Sequence, residues 1–422
     1  MKKILCLFDH FARTGYGIVS EQLVAHLTNH FGASLGLHII ATNYFGEPVE
    51  ILLDGNIRTV YVESAKLSQD PERTPEHLEL DDFGRMVFLE RLGQMDFDGI
   101  FIMQDLGIIT PMIPLLNGMK EGKAKANKKQ FKSVFYFPVD CQLPVKYFEG
   151  IEFFDLLVTY TEYARKQVLA YNQSLKPKTM VIPHGVSVTD YHVIDMPEIL
   201  KFRKDYFSDA EDELFIIGAI NRNQPRKDIP ATIFGFVEAK KKWHPKWTKK
   251  PFLYLHMDPK DAKGWDLPFL LNQCGLVEGV DYMFPKTDDL HSQVDVETMN
   301  KIYNSIDLYI STSRGEGWGL TATEAMAVGI LCILPCHTSY IEIGQNSRCI
   351  FLEELVPVCG FDDNTIRDAC FHIEVGEKII ECFENIDEKD IHQIKVRAYE
   401  YMRNLRWNTV CKKWIEVFKE VF

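Results

Sequence analysis

Residues 313–329 have the sequence SRGEGWGLTATEAMAVG and follow the apolar segment DLYISTS (307–313), which is typical of a buried strand. Gly315, Gly317 and Gly319 lie in the turn after that segment, and glycine lets a backbone approach a ligand closely. The small residues that follow predict a tightly packed helix. The stretch therefore predicts a strand, a glycine-rich turn and a helix whose N-terminus can bind an anion.

Two glutamates flank the turn. Thr321 is the predicted helix N-cap, and Glu324 three residues later fits a capping box. A carboxylate at Glu324 is also well placed to accept hydrogen bonds from paired ribose hydroxyls, and Glu316 could face a sugar. The structural alternative is that Glu324 only caps the helix and Glu316 is a loop acid. The glycines, the strand and the small-residue helix together favour the functional interpretation.

Short apolar segments alternate with helical patterns along most of the chain. Segments buried on both faces and separated by helices predict doubly wound parallel sheets. Two series predict an α/β protein with two Rossmann-like domains, residues 1–190 and 191–404, with the C-terminal helix 405–422 joining the first. The predicted strands are residues 4–8, 35–41, 99–104, 133–139, 155–161, 179–183, 214–220, 252–257, 307–313 and 331–335.

Composition indicates an intracellular globular protein. The chain has 422 residues, a net charge of −13 and 46% hydrophobic residues. Ten scattered cysteines without a CxxC pair predict reduced thiols and no zinc site. The apolar run at the N-terminus is too short for a signal peptide, and no apolar run has the length of a membrane span. We expect a cytoplasmic protein without a metal site, either free or bound peripherally to a membrane.

A second element that can bind phosphate is IGAINRNQPRKD (217–228), which begins at the end of a predicted strand. It contains Arg222, Arg226 and Lys227. An arginine can bind a diphosphate in a bidentate manner, and a lysine can act as a point charge. The alternative is a basic loop on an acidic protein.

Two further loops follow predicted strands of the first domain. Gly15 and Gly17 belong to the tight turn TGYG, which opens a helix but lacks the full GxGxxG dinucleotide fingerprint. Asp140 lies in FYFPVDCQLP, just beyond a strand's carboxyl end, where sites of α/β proteins collect.

The basic residues form two clusters, KEGKAKANKKQFK (120–132) and KKKWHPKWTKK (240–250). Each can be solvated surface. Each can also bind phosphate of a nucleic acid or a lipid, and Trp243 and Trp247 suit either partner.

The pattern resembles the retaining family 4 glycosyltransferases, which have the GT-B fold. The resemblance is strongest over NSIDLYISTSRGEGWGLTATEAMAVG (304–329), which is close to the family's E-x7-E signature. VTYTEYARKQV (158–168), VIPHGVSVTDYHV (181–193) and NRNQPRKD (221–228) match in the same order, so the likeness covers most of the chain.

The resemblance implies two Rossmann-like domains that face each other across a cleft, with a nucleotide-sugar such as a UDP- or GDP-sugar in the C-terminal one. Glu324 would bind the ribose, Glu316 would face the donor sugar, and Arg222 and Lys227 would stabilise the leaving diphosphate. Asp140 is a candidate replacement for a histidine that many members place near the sugar. The resemblance also implies retention of configuration without a metal. Donor contacts would come from Gly317, Trp318, Gly319 and Leu320, and from Gly15 and Gly17 of the other domain.

Other functions remain open at this point. The same fold serves phosphorylases and sugar-nucleotide epimerases, and a sugar-nucleotide-binding protein need not turn over. A nicotinamide oxidoreductase is disfavoured because no fingerprint acid is present. The acceptor is a hydroxylated base in DNA, a lipid-linked or membrane-surface glycan, or a soluble sugar or protein, and the basic clusters favour the polyanionic acceptors. No obligate protein partner is predicted.

Overall fold

The computed structural model describes residues 1–12, 14–53, 57–65, 83–207, 214–285, 294–347, 349–360, 365–384 and 388–422. The chain divides into two units. The first contains Met1–Val139, Leu143–Gly185 and Trp407–Phe422, and the second contains Asp140–Gln142 and Val186–Arg406.

The strands are β1 (Lys2–Phe8), β2 (Leu35–Ala41), β3 (Val49–Leu53), β4 (Ile57–Ser64), β5 (Gly99–Met103), β6 (Lys132–Phe137), β7 (Leu156–Thr159), β8 (Thr179–Val181), β9 (Leu214–Ile220), β10 (Lys250–His256), β11 (Tyr282–Met283), β12 (Leu308–Ile310), β13 (Leu331–Pro335), β14 (Ile350–Leu352), β15 (Leu355–Cys359) and β16 (Ile366–Cys370). The helices are α1 (Gly15–Phe31), α2 (Arg85–Gln94), α3 (Leu106–Ile109), α4 (Ile113–Lys125), α5 (Glu162–Tyr171), α6 (Met196–Tyr206), α7 (Ile229–Lys242), α8 (Leu267–Gln273), α9 (Val296–Ser305), α10 (Leu320–Ala327), α11 (Thr338–Ser347), α12 (His372–Glu384), α13 (Glu388–Asn404) and α14 (Trp407–Val421).

The sheet of the first unit has the strand order β3-β4-β2-β1-β5-β6-β7-β8. Its strands are parallel except for β3, which runs antiparallel to β4. The chain starts in β1, builds outward to β2 on one side, and later continues from β5 on the other. The strand order therefore reverses between β1 and β5, and such a reversal opens a crevice at the strands' carboxyl ends.

The sheet of the second unit has the order β11-β10-β9-β12-β13-β14 and is parallel throughout. Here the order reverses between β9 and β12. An antiparallel ribbon, β15 paired with β16, follows the last strand of this sheet. The loops after β9 and β12 thus emerge side by side at one edge of the sheet.

Each sheet has its own apolar core. In the first unit Phe88, Ile102 and Phe135 are buried within one cluster, and in the second Ile217 and Phe236 are buried within another. Central strands such as β5 and β9 are buried along their whole length, as expected for parallel strands covered by helices on both faces.

The C-terminal helix α14 packs on the first unit. It contacts α1, and His26 Nε2 lies 2.7 Å from Asn408 Oδ1. The fully buried ring of Trp414 lies 5.1 Å from the ring of Phe101 and 4.7 Å from that of Tyr136, measured between centroids. Apolar burial of one helical face therefore fixes the end of the chain to strands β5 and β6.

The predicted α/β class with two parallel-sheet units is confirmed, and each predicted strand coincides with an observed one. The unit boundary lies at Gly185/Val186, five residues before the predicted position. The pattern did not predict β3, β4, β11, β14 or the ribbon. Within the described ranges, no helix is both long and apolar enough to span a membrane.

We expect Trp414→Ala to destabilise the first unit by about 3–5 kcal/mol, because it removes a fully buried aromatic ring and leaves a cavity. Lys413→Ala is the matched control, since Lys413 is exposed on the same helix. Urea denaturation followed by far-ultraviolet circular dichroism measures both. Equal midpoints for the two variants would show that α14 is not held by this ring.

Candidate functional site

The loops after β9 and β12 are joined by hydrogen bonds at the switch point of the second unit. The Arg314 backbone N–H donates to the Arg226 carbonyl at 2.8 Å, and the Thr312 hydroxyl donates to the Asp228 carbonyl at 2.9 Å. The Arg314 guanidinium also binds the Asp228 carboxylate through two contacts of 2.9 Å. These contacts fix the two loops against each other and set the positions of the side chains they carry.

Glu316 lies at the centre of this junction and is only 5% exposed. Its carboxylate forms ion pairs with the Lys227 ammonium and, at 3.1 Å, with the Arg226 guanidinium. Burial by itself would raise the pKa of this carboxyl, but Arg226 and Lys227 outweigh burial and lower the pKa to about 2. Glu316 is therefore ionised throughout the physiological pH range.

A second carboxylate extends the network. The Asp140 carboxylate lies 3.1 Å from Arg367 of β16 and 3.5 Å from Arg226. Its backbone carbonyl lies so near Gly315 that a Cβ on that residue would be 1.8 Å away, which requires glycine there. Three cations thus face two carboxylates, so the cluster carries a net positive charge.

The glycine-rich turn ends at Gly319, which has a φ of 97° and caps α10. Because this left-handed residue starts the helix, Leu320 is its first residue, and the prediction of Thr321 as N-cap was wrong. The Thr321 hydroxyl instead pairs with the Tyr309 hydroxyl at 2.8 Å. Glu324 is not the partner in a capping box; its carboxylate accepts from Tyr303.

A strained residue supports the turn from a neighbouring loop. Thr338, the first residue of α11, has a φ of 47°, an unusual conformation for a β-branched side chain. Its hydroxyl accepts a hydrogen bond from the Glu316 backbone N–H at 3.1 Å. The loop after β13 therefore holds the backbone of Glu316 in place.

Glu324 lies one turn into α10 and is 8% exposed. One of its oxygens accepts a hydrogen bond from the Tyr303 hydroxyl at 2.7 Å, and the Tyr191 hydroxyl also faces the carboxylate. Burial raises the pKa of Glu324 to about 7, although both tyrosine hydroxyls lower it and Asp190 raises it further. The pKa values of the two glutamates of the turn are therefore shifted in opposite directions.

The remaining predicted site residues have other hydrogen-bond and ion-pair partners. The Arg222 side chain is 62% exposed and pairs with Asp261 at 2.8 Å, whereas Arg226 and Lys227 contact Glu316. Gly15 and Gly17 belong to the first unit, at the start of α1, where the Gly17 N–H donates to the Thr14 hydroxyl at 2.9 Å. Trp318 is buried in the turn, and the Ser339 hydroxyl donates to its carbonyl at 2.9 Å.

In each unit, lysines of the basic cluster pair with aspartates at the amino ends of the strands. In the first unit four lysines pair with aspartates that precede β5 and β7, and in the second unit Lys240 and Lys249 pair with aspartates that precede β11 and β12. The nitrogen–oxygen distances are between 2.5 and 3.5 Å. The four lysines are Lys120, Lys123, Lys129 and Lys132.

The two tryptophans of the second cluster pack against protein. The rings of Trp243 and Trp247 lie 4.9 Å apart, and both contact the ring of Phe383, at 4.4 and 4.8 Å. The Trp243 indole N–H donates to the Lys249 carbonyl at 2.8 Å. These rings therefore pack together within the second unit.

Several residues of the site were not assigned a role from sequence. Arg226 stood out only as one cation among three, although it directly precedes Lys227. Tyr191, Tyr303 and Arg367 carried no local signal, because each reaches the site through the fold of a distant segment. Among the described residues, no group of three or more His, Cys, Asp or Glu side chains could hold a metal ion.

A family model described as "Glycosyl transferases group 1" matches residues 286–347. The match includes Glu316, the glycine turn and Glu324. "Putative glycosyltransferase ORF313" of Acidianus filamentous virus 1 is 25% identical over 134 residues, which are 31% of this chain and 41% of the viral protein. The chain thus spans about two fifths of the length of that curated relative. These matches support a glycosyltransferase.

Solved structures share the fold over the whole chain. HepE of Anabaena, crystallised with UDP and glucose, has a TM-score of 0.64 at 14% identity, with full coverage of both chains. Sucrose-phosphate synthase of Thermosynechococcus elongatus has a TM-score of 0.67 at 15% identity, covering 100% of this chain and 99% of the other. The chain therefore has the GT-B fold.

We expect a double-mutant cycle between Lys227→Met and Glu316→Gln to show strong coupling. Glu316→Gln leaves the buried Lys227 ammonium without its carboxylate and should cost about 3–5 kcal/mol of stability, whereas Lys227→Met should cost less, because Arg226 still pairs with Glu316. The double variant should lose less than the sum of the two by about 1–3 kcal/mol. Urea denaturation of the four proteins gives the coupling energy. Additive losses would contradict a direct pair.

Acid titration checks the same pair. Because the folded-state pKa of Glu316 lies at about 2, below the ordinary glutamate value of 4.5, its stabilising contribution is present above about pH 4.5 and is lost as the pH falls toward 2. In Glu316→Gln that part of the acid sensitivity should be missing.

Proposed function

We propose that the protein is a group 1 glycosyltransferase that binds a nucleotide-sugar, such as a UDP- or GDP-sugar, in its second unit. The observation that carries this proposal is the turn of residues 315–319. It has an ionised, cation-paired Glu316 on one side, Glu324 on the other and a helix N-terminus between them. The family match over the same residues supports it.

The geometry suits the parts of such a donor. The start of α10 offers free backbone N–H groups from Gly319 onward, and an anion at a helix N-terminus is stabilised by these groups and the helix dipole. Arg226 and Lys227 lie beside the turn and can neutralise a diphosphate. Glu324 can accept hydrogen bonds from the ribose, and Glu316 from hydroxyls of the donor sugar.

The transfer breaks the bond between the anomeric carbon and the phosphate oxygen and forms a bond to an acceptor hydroxyl oxygen. Negative charge develops on the leaving diphosphate, so preorganised cations and N–H groups stabilise the transition state. The acceptor proton passes to a phosphate oxygen on the same face of the sugar. We propose retention of configuration by this route, without a metal.

The charge distribution favours an uncharged acceptor with a free hydroxyl group over DNA or an anionic membrane surface. Nine of the twelve lysines of the two clusters are paired with carboxylates, six of them with aspartates at the amino ends of the strands, whereas ligands of open α/β sheets bind at the carboxyl ends. Ion pairing reduces the positive potential that a polyanion would need.

We expect one of the UDP-, GDP-, ADP- and TDP-sugars to raise the thermal midpoint of the protein, equally with magnesium and with EDTA. Glu324→Ala should lose this stabilisation because it removes the ribose acceptor. Glu297→Ala is the matched control, since Glu297 is exposed on α9. If no nucleotide-sugar stabilises the wild type, or if Glu324→Ala responds as the wild type does, the proposed donor site is wrong.

The acceptor proposal has its own test. At physiological salt we expect neither duplex DNA nor phosphatidylserine vesicles to bind the protein, whereas binding of a polyanion would fall steeply with salt. Fluorescence anisotropy with labelled DNA and vesicle sedimentation measure this. Tight binding that is abolished in the double variant Lys125→Ala, Lys128→Ala would contradict this proposal and would favour a polyanionic acceptor.

A further inference from the structure

Glu324 is held by residues from two separate segments. Tyr303 reaches it from α9, and Tyr191 reaches it from the segment after β8. The two tyrosine rings pack edge to face with centroids 5.6 Å apart. The carboxylate therefore lies against a pair of phenols that contact each other as well as the glutamate.

The segment that carries Tyr191 is fixed to α9 by two asparagines one helical turn apart. Asn300 Oδ1 accepts from the His192 backbone N–H at 3.1 Å, and Asn304 Oδ1 accepts from the Ile194 N–H at 3.0 Å. The Asn304 amide also donates to the His192 carbonyl at 2.9 Å. Because both asparagines and Tyr303 lie on one helix, α9 sets the position of both phenols.

A carboxylate has about four acceptor directions, and each tyrosine hydroxyl can fill one of them. Two directions then remain, which is the number that the two adjacent hydroxyls of a ribose require. We propose that Tyr303 and Tyr191 are positioning residues that orient the Glu324 carboxylate so that these two directions stay open for a ribose. The inference rests on the proposed binding of a nucleotide-sugar.

Protonation of the carboxyl would remove part of this acceptor capacity. The titratable groups that face Glu324 are Tyr191 and Asp190 from the segment after β8, Tyr303 from α9 and Tyr309 from β12. Lys395 of α13, which packs on α10, lies at the far end beside Gly329. Among the described residues, no cation contributes to the pKa shift of Glu324, so the phenols are the main stabilisation of its ionised form.

The tyrosines therefore couple nucleotide binding to pH. Burial places the pKa of Glu324 at about 7, and the phenol hydrogen bonds hold it lower than burial alone would. Only the ionised fraction is competent to accept both ribose hydroxyls, so the apparent affinity of the wild type should rise about tenfold from pH 6 to pH 8. Removing either phenol hydroxyl should move this rise to higher pH.

The test uses UDP-glucose, whose diphosphate does not titrate in this range, or the nucleotide-sugar that the stabilisation screen identifies. Isothermal titration calorimetry from pH 6 to about pH 8.5 is carried out on the wild type, Tyr303→Phe and Tyr191→Phe. We expect both variants to bind several-fold more weakly at pH 7 and to recover most of the affinity at the highest pH. Tyr309→Phe is the matched control, because its buried hydroxyl pairs with Thr321, and its profile should equal that of the wild type.

Glu324→Gln separates this inference from the proposed function. Its binding should be weak and independent of pH, because the titrating group is gone. If Glu324→Gln loses affinity but both tyrosine variants keep the wild-type pH midpoint, the positioning role is wrong and the ribose role stands. If Glu324→Gln binds with wild-type affinity and the wild-type pH profile, the ribose role itself is wrong. A loss in Tyr303→Phe that does not recover at high pH would also overturn the inference.

Discussion

The buried ion pairs of Glu316 are the constraint on which the second unit's site depends. An ionised carboxylate that is 5% exposed is strongly unfavourable unless cations compensate it. Lys227 and Arg226 supply them from the loop after β9, and Glu316 itself comes from the loop after β12. Because neither loop is stable in this arrangement without the other, the charges connect the two strands at the point where the sheet reverses its order.

The same sheet explains why the charged residues divide into two populations. Parallel strands that are buried on both faces have no room for polar side chains except at their ends. At the amino ends, lysines pair with aspartates such as Asp155 and Asp307, which also accept hydrogen bonds from strand backbones. At the carboxyl ends of the second unit, the cluster around Glu316 has three cations for two carboxylates, and a helix begins beside it. The first arrangement stabilises the fold, and only the second leaves capacity for an anionic ligand.

Sequence periodicity was sufficient to predict the central strands, because continuous apolar segments separated by helices are compatible with few other structures. It failed for β3 and the ribbon, whose residues are partly exposed, and for β4, where the buried polar residues Thr59 and Glu63 interrupt the apolar pattern. Glu316, Glu324 and Lys227 could be selected because glycines and a strand end mark them locally. The helix cap at Thr321 was predicted wrongly, since sequence does not show that Gly319 adopts a left-handed conformation. Arg226, Arg367 and Tyr303 acquire their positions only through tertiary contacts.

Two glutamates eight residues apart show how environment divides chemical roles. Both are buried to a similar extent, yet the pKa of Glu316 falls to about 2 and that of Glu324 rises to about 7. The difference arises from their partners, which are two cations for Glu316 and two neutral phenols for Glu324. A cation-paired carboxylate stays charged and fixed, whereas one held only by hydrogen bonds keeps acceptor capacity that a neutral polyol can fill. The turn between them therefore has a charged, fixed carboxylate on one side. On the other side it has a carboxylate that can accept further hydrogen bonds.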